Sequence, residues 1–459
     1  MTADTQGDQD GQEARHGSRR RLPFIGLAVL LVAAVVAAVL TFRALSAEPA
    51  EAVPATIPVP VTVEHVPART AIGVVVTLGD GEGSEWNQAA QGAVVAQRRL
   101  QLGGTRVQLV TRNDSGTTAG ARAAVQDLVR QGVAGIVVAS SGAHVVASTE
   151  AASDAGVPVV LPYAEHTDDA WSTAPSVQSL ATAMQRALGG ADSPLLVDLG
   201  GEAPTGLRVA HVLSAGATDL TVLATTVAER TGVAQPSADA TTGDPTDGAT
   251  AVDSDAVVVS GTAARQGAFV AALQAADVTV PVVLTSDATS PAFGAALTTA
   301  GGSVSGTFRT AGVATDDATA LDGDAAGRAM SAFLGAVRVG AKDPDAENLT
   351  GDQPFSAVAA GADSRSHDAV IALVHAVGTA RSTAPETVTD ALASASLDAD
   401  DGLAGPALDF GDPQALGARA TVLASSAQAL GLRPAAASTS TLVWFPDTSG
   451  TDTSGTTGR

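Results

Sequence analysis

The heptapeptide Gly79-Asp80-Gly81-Glu82-Gly83-Ser84-Glu85 joins an apolar run to a helical stretch, the setting in which glycine-rich loops cradle phosphates. A dinucleotide is not expected here. The third fingerprint position is Ser84, and Asp80, Glu82 and Glu85 would repel a pyrophosphate. A calcium loop fails for a different reason, because the distal bidentate glutamate is missing at the required spacing. The bland alternative, a solvated acidic turn, is the better reading. Ser140 and Ser141 could be nucleophiles only with a base and an acid arranged beside them, and the chain has no Gly-x-Ser-x-Gly elbow and no His-Glu-x-x-His. His144 and His166 fall in successive loops and with Glu165 could approach a metal. No local pair has ligand spacing, so both histidines are expected at the surface. No enzyme activity, metal or cofactor is expected from these groups.

The elements that must position them form a repeated pattern. AIGVVVT (71–77) is too short and too β-branched for a helix. Ala89, Ala93, Ala96 and Leu100 then recur on one helical face, and Gly103-Gly104 ends that helix. VQLVT (107–111), a helix marked by Ala121, Val125, Leu128 and Val129, GIVVAS (135–140), a third helix ending at Gly156, and VPVVLP (157–162) complete the run. Apolar strands alternating with helices predict a parallel sheet covered on both faces. Ligands of such sheets sit beyond the carboxyl ends of the strands, here the loops after Thr77, Thr111, Val138 and Pro162.

Composition narrows the partners. A net charge of −23 leaves no basic stripe for nucleic acid, and 3% aromatic content leaves few stacking platforms. No cysteine is present, which excludes disulfides, thiolate chemistry and a lipidated cysteine at an export signal. Leu22 to Phe42 is apolar and uncharged, long enough at ~1.5 Å per residue to span a bilayer core of roughly 30 Å. Arg15, Arg19, Arg20 and Arg21 precede it, so residues 1–21 are expected in the cytoplasm and everything after 43 outside. The alternative is a cleaved signal peptide with a site near Ala44-Leu45-Ser46; both readings export the large domain. Residues 43–69 read as a Pro/Ala-rich tether and 446–459 as a disordered tail.

A second βα block follows. A helix is predicted from Ser176, a strand at LLVDLGG (195–201), a helix from Thr205 to Ser214 and a strand at TVLATTV (221–227). Residues 231–254 lack apolar periodicity and read as a surface insertion. DAVVVSG (255–261), the helix 263–276 and VPVVLTSD (280–287) resume the pattern, and helices are predicted at His367 to Arg381 and Ala384 to Ala395. Two α/β lobes imply an interlobe cleft, a preferred place for a small-molecule site.

Taken in order, IGVVVTLGDGEGSEWNQAAQGAVVAQRRLQLGG, the run through VPVVLPYAE, AVVVSGTAARQGAFVAALQAADVTVPVVLTSDATSPAF, HDAVIALVHAVGTA and GLAGPALDF resemble the type I periplasmic-binding-protein family, specifically its branched-chain amino-acid-binding group of ABC-transporter receptors. The resemblance covers about 70–435. It implies two doubly wound parallel-sheet lobes, with lobe 1 near 70–174 and 310–395 and lobe 2 near 175–309 and 396–445. It also implies capture of an amino-acid-like ligand by lobe closure, for delivery to an ABC permease. Carried over position by position, Ser140, Ser141 and Gly142 would hold the ligand's carboxylate, with Tyr163, Ala164 and Glu165 contributing from the next loop. Trp86 would line the pocket, Thr205 and Thr262 would stand where aromatics are usual, and Asp287 would meet the ammonium. This chain departs from the pattern in its acidic first loop, in those two threonines, and in Glu165, where a hydroxyl is usual. These departures point to a ligand more cationic than a branched-chain amino acid or to a degenerate pocket. The alternative reading is a sensory or envelope-associated receptor of the same fold, with an altered or degenerate pocket, not coupled to transport.

Overall fold

Short β-branched runs, too short for helices and apolar on both sides, become the inner strands of two sheets. The computed structural model describes residues 59–201, 204–216, 219–232, 254–313, 317–434 and 442–447. The apolar run 22–42 and most of the insertion expected at 231–254 lie outside these. Among the described residues no helix is long and apolar enough to cross a membrane.

The first sheet contains β1 (Thr70–Val76), β2 (Val107–Asn113), β3 (Ile136–Val138), β4 (Val159–Leu161) and β5 (Trp171–Ser172), all parallel, in the order β2-β1-β3-β4-β5. Alternation along β1 divides its side chains between two cores. Ile72, Val74 and Val76 face one, while Val75 joins Ile136 and Val138 in the other. Helices α1 (Gly92–Leu102), α2 (Thr118–Arg130) and α3 (Val145–Ser153) connect the strands. Thr117 starts α2 by accepting from Gly120 N at 3.1 Å.

After α4 (Val177–Ala187) the second sheet begins with β6 (Pro194–Asp198) and β7 (His211–Ser214). It continues through α5 (Leu220–Arg230), β8 (Ala256–Ser260), α6 (Ala263–Ala275), β9 (Val282–Leu284), α7 (Pro291–Thr299) and β10 (Phe308–Gly312). The chain then returns to the first lobe as α8 (Ala325–Lys342), α9 (Ser364–Ala380), α10 (Pro385–Leu392) and the small antiparallel pair β11 (Ser396–Leu397) and β12 (Leu408–Asp409). Finally β13 (Thr421–Ser426) and β14 (Val443–Pro446) close the second sheet as an antiparallel edge, giving the order β14-β13-β10-β9-β8-β6-β7. The expected α/β architecture of two parallel-sheet lobes is therefore present.

Several sequence expectations need correction. The stretch 221–227 is helical, not a strand. Asp219 caps α5 by accepting from Thr221 N at 2.7 Å, and Leu223, Ala224, Val227 and Ala228 are buried at helical spacing. The helix expected over Thr205 to Ser214 is instead a turn leading into the edge strand β7. Residues 396–416, expected in the second lobe, pack with the first: Leu397, Leu403, Leu408, Phe410 and Leu416 share the core of Ile72 and Val74. The tether expected over 43–69 is folded from residue 59 onward. Val61 and Val63 enter the same core, and Val61 N donates to Arg99 O at 3.0 Å. Val443–Pro446 is a strand, so ordered structure reaches into the start of the expected tail.

A buried network ties the first lobe together. Arg99, whose pKa burial lowers to about 10, donates to the Val59 carbonyl (3.0 Å), the Gly402 carbonyl (3.2 Å) and His367 Nε2 (3.0 Å). Arginine has no acceptor, so His367 Nε2 accepts and its Nδ1–H donates to Asp368 Oδ1 at 2.7 Å. His367 is held neutral by burial, which lowers its pKa.

Candidate functional site

The two lobes are joined by segments that run beside each other. Ser172 N donates to Pro413 O at 2.8 Å, and Ala420 N donates to Ser179 Oγ at 2.6 Å. Between the lobes lies a cavity of about 480 Å³, which takes Thr173, Ala174 and Pro175 from one crossing and Gly312 and Val313 from another. A cavity of this size suits a small organic molecule.

The first lobe presents an aromatic wall. Trp86 ends the acidic loop on a 3₁₀ turn (Ser84–Trp86), and Tyr163 follows β4. Their rings stack at 4.4 Å between centroids and 7° between planes. The Arg365 guanidinium lies 4.8 Å from the Trp86 ring centroid and 4.7 Å from that of Tyr163, close enough for cation–π attraction. Asp363, the cap of α9, fixes Arg365 by accepting from its backbone N (2.7 Å), Nε (2.9 Å) and Nη2 (2.8 Å). Trp86 Nε1 donates to Ser141 Oγ at 3.0 Å, which sets the ring's angle.

The second lobe presents Ser286, Asp287, Thr289 and Ser290 at the end of β9, with Leu442 and Trp444 beside them. Ser290 caps α7 and reaches across the cleft, its Oγ donating to the Glu85 carbonyl at 2.7 Å. Asp287 keeps part of its surface open to the cavity but is enclosed by both lobes. Burial, reinforced by the negative charge of Glu85, raises its pKa to about 6. The Thr173 side chain is 4% exposed, and its hydroxyl finds no partner among the described residues. On the first-lobe side Arg433 pairs with Asp317 at 2.7 Å and donates to the carbonyls of Ala360 and Ala362.

Of the residues singled out from the sequence, Trp86, Tyr163, Ala164, Glu165 and Asp287 line the cavity. The others do not. Ser140 is fully buried: it meets Thr77 Oγ1 at 2.7 Å and His144 Nε2 at 3.0 Å, while Thr77 donates to Asp114 Oδ1 at 2.6 Å. With Thr77's proton on Asp114, the Ser140 hydroxyl donates to Thr77 and accepts from His144, so its proton is not free to hold a ligand's carboxylate. Ser141 donates to Glu85 Oε1 at 3.2 Å, and Gly142 lies against the Glu82 side chain. Thr262 caps α6 by accepting from Arg265 N, and Thr205 is an exposed turn residue.

His144, expected at the surface, is 2% exposed, because the acidic loop folds down over the strand ends. Its Nε2 also lies 3.2 Å from Asp114 Oδ2, and that carboxylate raises its pKa despite burial. Serine and aspartate thus share one ring nitrogen, which is not the relay of a serine hydrolase, where they occupy opposite nitrogens. Among the described residues no three His, Cys, Asp or Glu side chains group as a metal site. Sequence reading missed Thr173, Ser290, Asp363, Arg365 and Trp444. Asp363 before a helical run is a legible cap, but nothing local marks Arg365 as a neighbour of Trp86.

No protein-family model and no curated protein matches the chain. Solved structures do. A leucine-binding protein from Thermotoga maritima matches with a TM-score of 0.55 at 14% identity, covering 82% of this chain and 97% of that one. A branched-chain amino acid transporter substrate-binding protein from Streptococcus pneumoniae, in complex with isoleucine, gives 0.55 at 17%, covering 82% and 99%. A solute-binding protein of an ABC transporter from Rhodopseudomonas palustris, in complex with 4-hydroxybenzoate, gives 0.54 at 16%, covering 82% and 96%. The class this defines is the two-lobed α/β fold of type I periplasmic binding proteins. Within that fold the structures alike to this chain include a transporter substrate-binding protein and a solute-binding protein of an ABC transporter, in line with the sequence resemblance.

Proposed function

We propose that this chain is an exported solute-binding protein that captures a small, amino-acid-like molecule between its lobes. In this reading residues 22–42 anchor it in the cell membrane, the binding domain lies outside, and an ABC permease receives the solute. The observation that carries the reading is the interlobe cavity, walled by the Trp86–Tyr163 stack on one side and by Asp287 on the other. An aromatic face supplies apolar contact area, and a carboxylate in a partly closed cleft selects for an ammonium. Closure gives a permease a surface that differs between the empty and loaded states, which is what coupling requires.

Thermal unfolding of the full chain against amino acids, amines and sugars tests solute capture. A ligand at 100 times its Kd adds about 2.7 kcal/mol of stability, a rise of several degrees. No shift with any compound class would rule solute capture out.

A further inference from the structure

The donors at the end of β3, which in the sequence resemblance would hold a ligand's carboxylate, are occupied by the chain's own acids. Ser141 Oγ donates to Glu85 Oε1 at 3.2 Å, and Ala143 N donates to Glu82 Oε2 at 3.3 Å. Glu82 lies so flat on this loop that a Cβ at Gly142 would come within 2.3 Å of its carboxyl carbon. Gly83 seals the adjoining space: a Cβ there would stand 2.1 Å from Ser140 Oγ. None of Ser140, Ser141 and Gly142 reaches the cavity.

The cations that do reach it are engaged. Arg365 holds Asp363 through two nitrogens while its flat face covers the aromatic stack, and Arg433 holds Asp317. Asp368 is likewise satisfied, by His367 and by the amides of Ala404 and Gly405. Asp287 and Glu165 remain on the wall with no salt bridge among the described residues. The buried Thr173 hydroxyl, without a partner among the described residues, lies in the same cavity and can accept from an N–H or donate to a ligand oxygen.

We infer that the cleft takes a primary organic amine without an α-carboxylate, its ammonium held by Asp287 and its carbon chain against Trp86 and Tyr163, and that it discriminates against the parent α-amino acid. This rests on the solute-capture reading and specifies its ligand. An added carboxylate would meet Asp287 and Glu165 on the wall while Arg365 and Arg433 are already held by Asp363 and Asp317, and such like-charge contact inside a desolvated cleft disfavours binding strongly.

The test is calorimetric titration of the full chain with matched pairs: phenethylamine and phenylalanine, agmatine and arginine, isopentylamine and leucine, with benzoate as an anionic control. The expected result is that at least one amine binds tenfold or more tightly than its amino acid and that benzoate does not compete. Asp287→Asn should then weaken that amine at least tenfold, with unchanged secondary structure by circular dichroism. In Glu85→Gln the amine-to-acid ratio should shrink, because a negative charge that acts on Asp287 is removed. An amino acid binding as tightly as its amine, or benzoate binding in preference to both, overturns the inference while leaving solute capture intact. Binding by none of these probes or of the wider thermal screen overturns both.

Discussion

The carboxyl ends of the two sheets carry polar groups in comparable places and treat them differently. In the first lobe Thr77, Asp114, Ser140 and His144 close on one another, and the acidic loop 79–85 folds over them as a lid of the chain's own making. In the second lobe Asp287 stands at the equivalent strand end, accepts from Thr285 Oγ1 at 3.3 Å, and faces the cavity. One strand end holds itself together, and the other is left to hold something else. The first cluster is held by hydrogen bonds among its own members, although His144 Nδ1 finds no partner among the described residues, whereas a buried carboxylate as little compensated as Asp287 costs stability until a ligand arrives.

Substitutions should separate these roles. The largest expected effect is at Asp114, which is fully buried and accepts from Thr77 Oγ1 and Gly116 N. Asp114→Ala should cost about 3 kcal/mol in urea unfolding, because it strands several donors at once. A loss below about 1 kcal/mol would mean the cluster is not the rigid unit described here.

Asp287→Asn should have the opposite sign in the empty protein. A pKa raised to about 6 means the native state disfavours the charged form, so removing the charge should stabilise by about 2 kcal/mol at pH 8. The penalty is absent below the unfolded pKa, grows as pH rises toward 6 and is complete above it. The slope of stability against pH between about 4 and 6 should therefore flatten in the variant. His144, raised by Asp114, contributes stability that is present below about pH 6.5 and lost as pH rises through its native pKa, a higher window that Asp287→Asn leaves untouched. Amine affinity should increase with pH across 6 as Asp287 loses the proton that the cation replaces.

The smallest effect is expected at Arg365→Lys. It keeps the charge near Asp363 but loses the planar fork over Trp86 and Tyr163, at a cost of about 0.5–1 kcal/mol in stability. A neutral result would show that the stack is held by the two aromatic rings alone.

Much of this arrangement was legible in the residues. Short apolar runs at 71–77 and 255–261 became inner strands because few other structures bury both faces of so short a segment. Trp86, Tyr163 and Asp287 were found through the family resemblance, by their positions in its order of segments. The segment 221–227 misled because its valines and threonines favour strands, while the Asp219 cap and the spacing of Leu223, Ala224 and Val227 favour a helix, and packing decided for the helix. Ser140 and Ser141 misled because a strand-end hydroxyl looks the same in sequence whether it faces a cleft or lies beneath a loop.

The sequence by itself determined the alternation of strands and helices, and with it two parallel sheets with functional loops at their carboxyl ends. It could do so because hydrophobic periodicity and caps act over a few residues. Tertiary structure decided which side chains share the cleft. Arg365 meets Trp86 only because α9 buries its other face on β1, Ser290 meets Glu85 only because the lobes close on each other, and Glu82 and Glu85 reach the β3 loop only because Gly83 permits the turn. Those contacts join segments distant in the chain, and their energies depend on burial that forms only once the whole core has assembled.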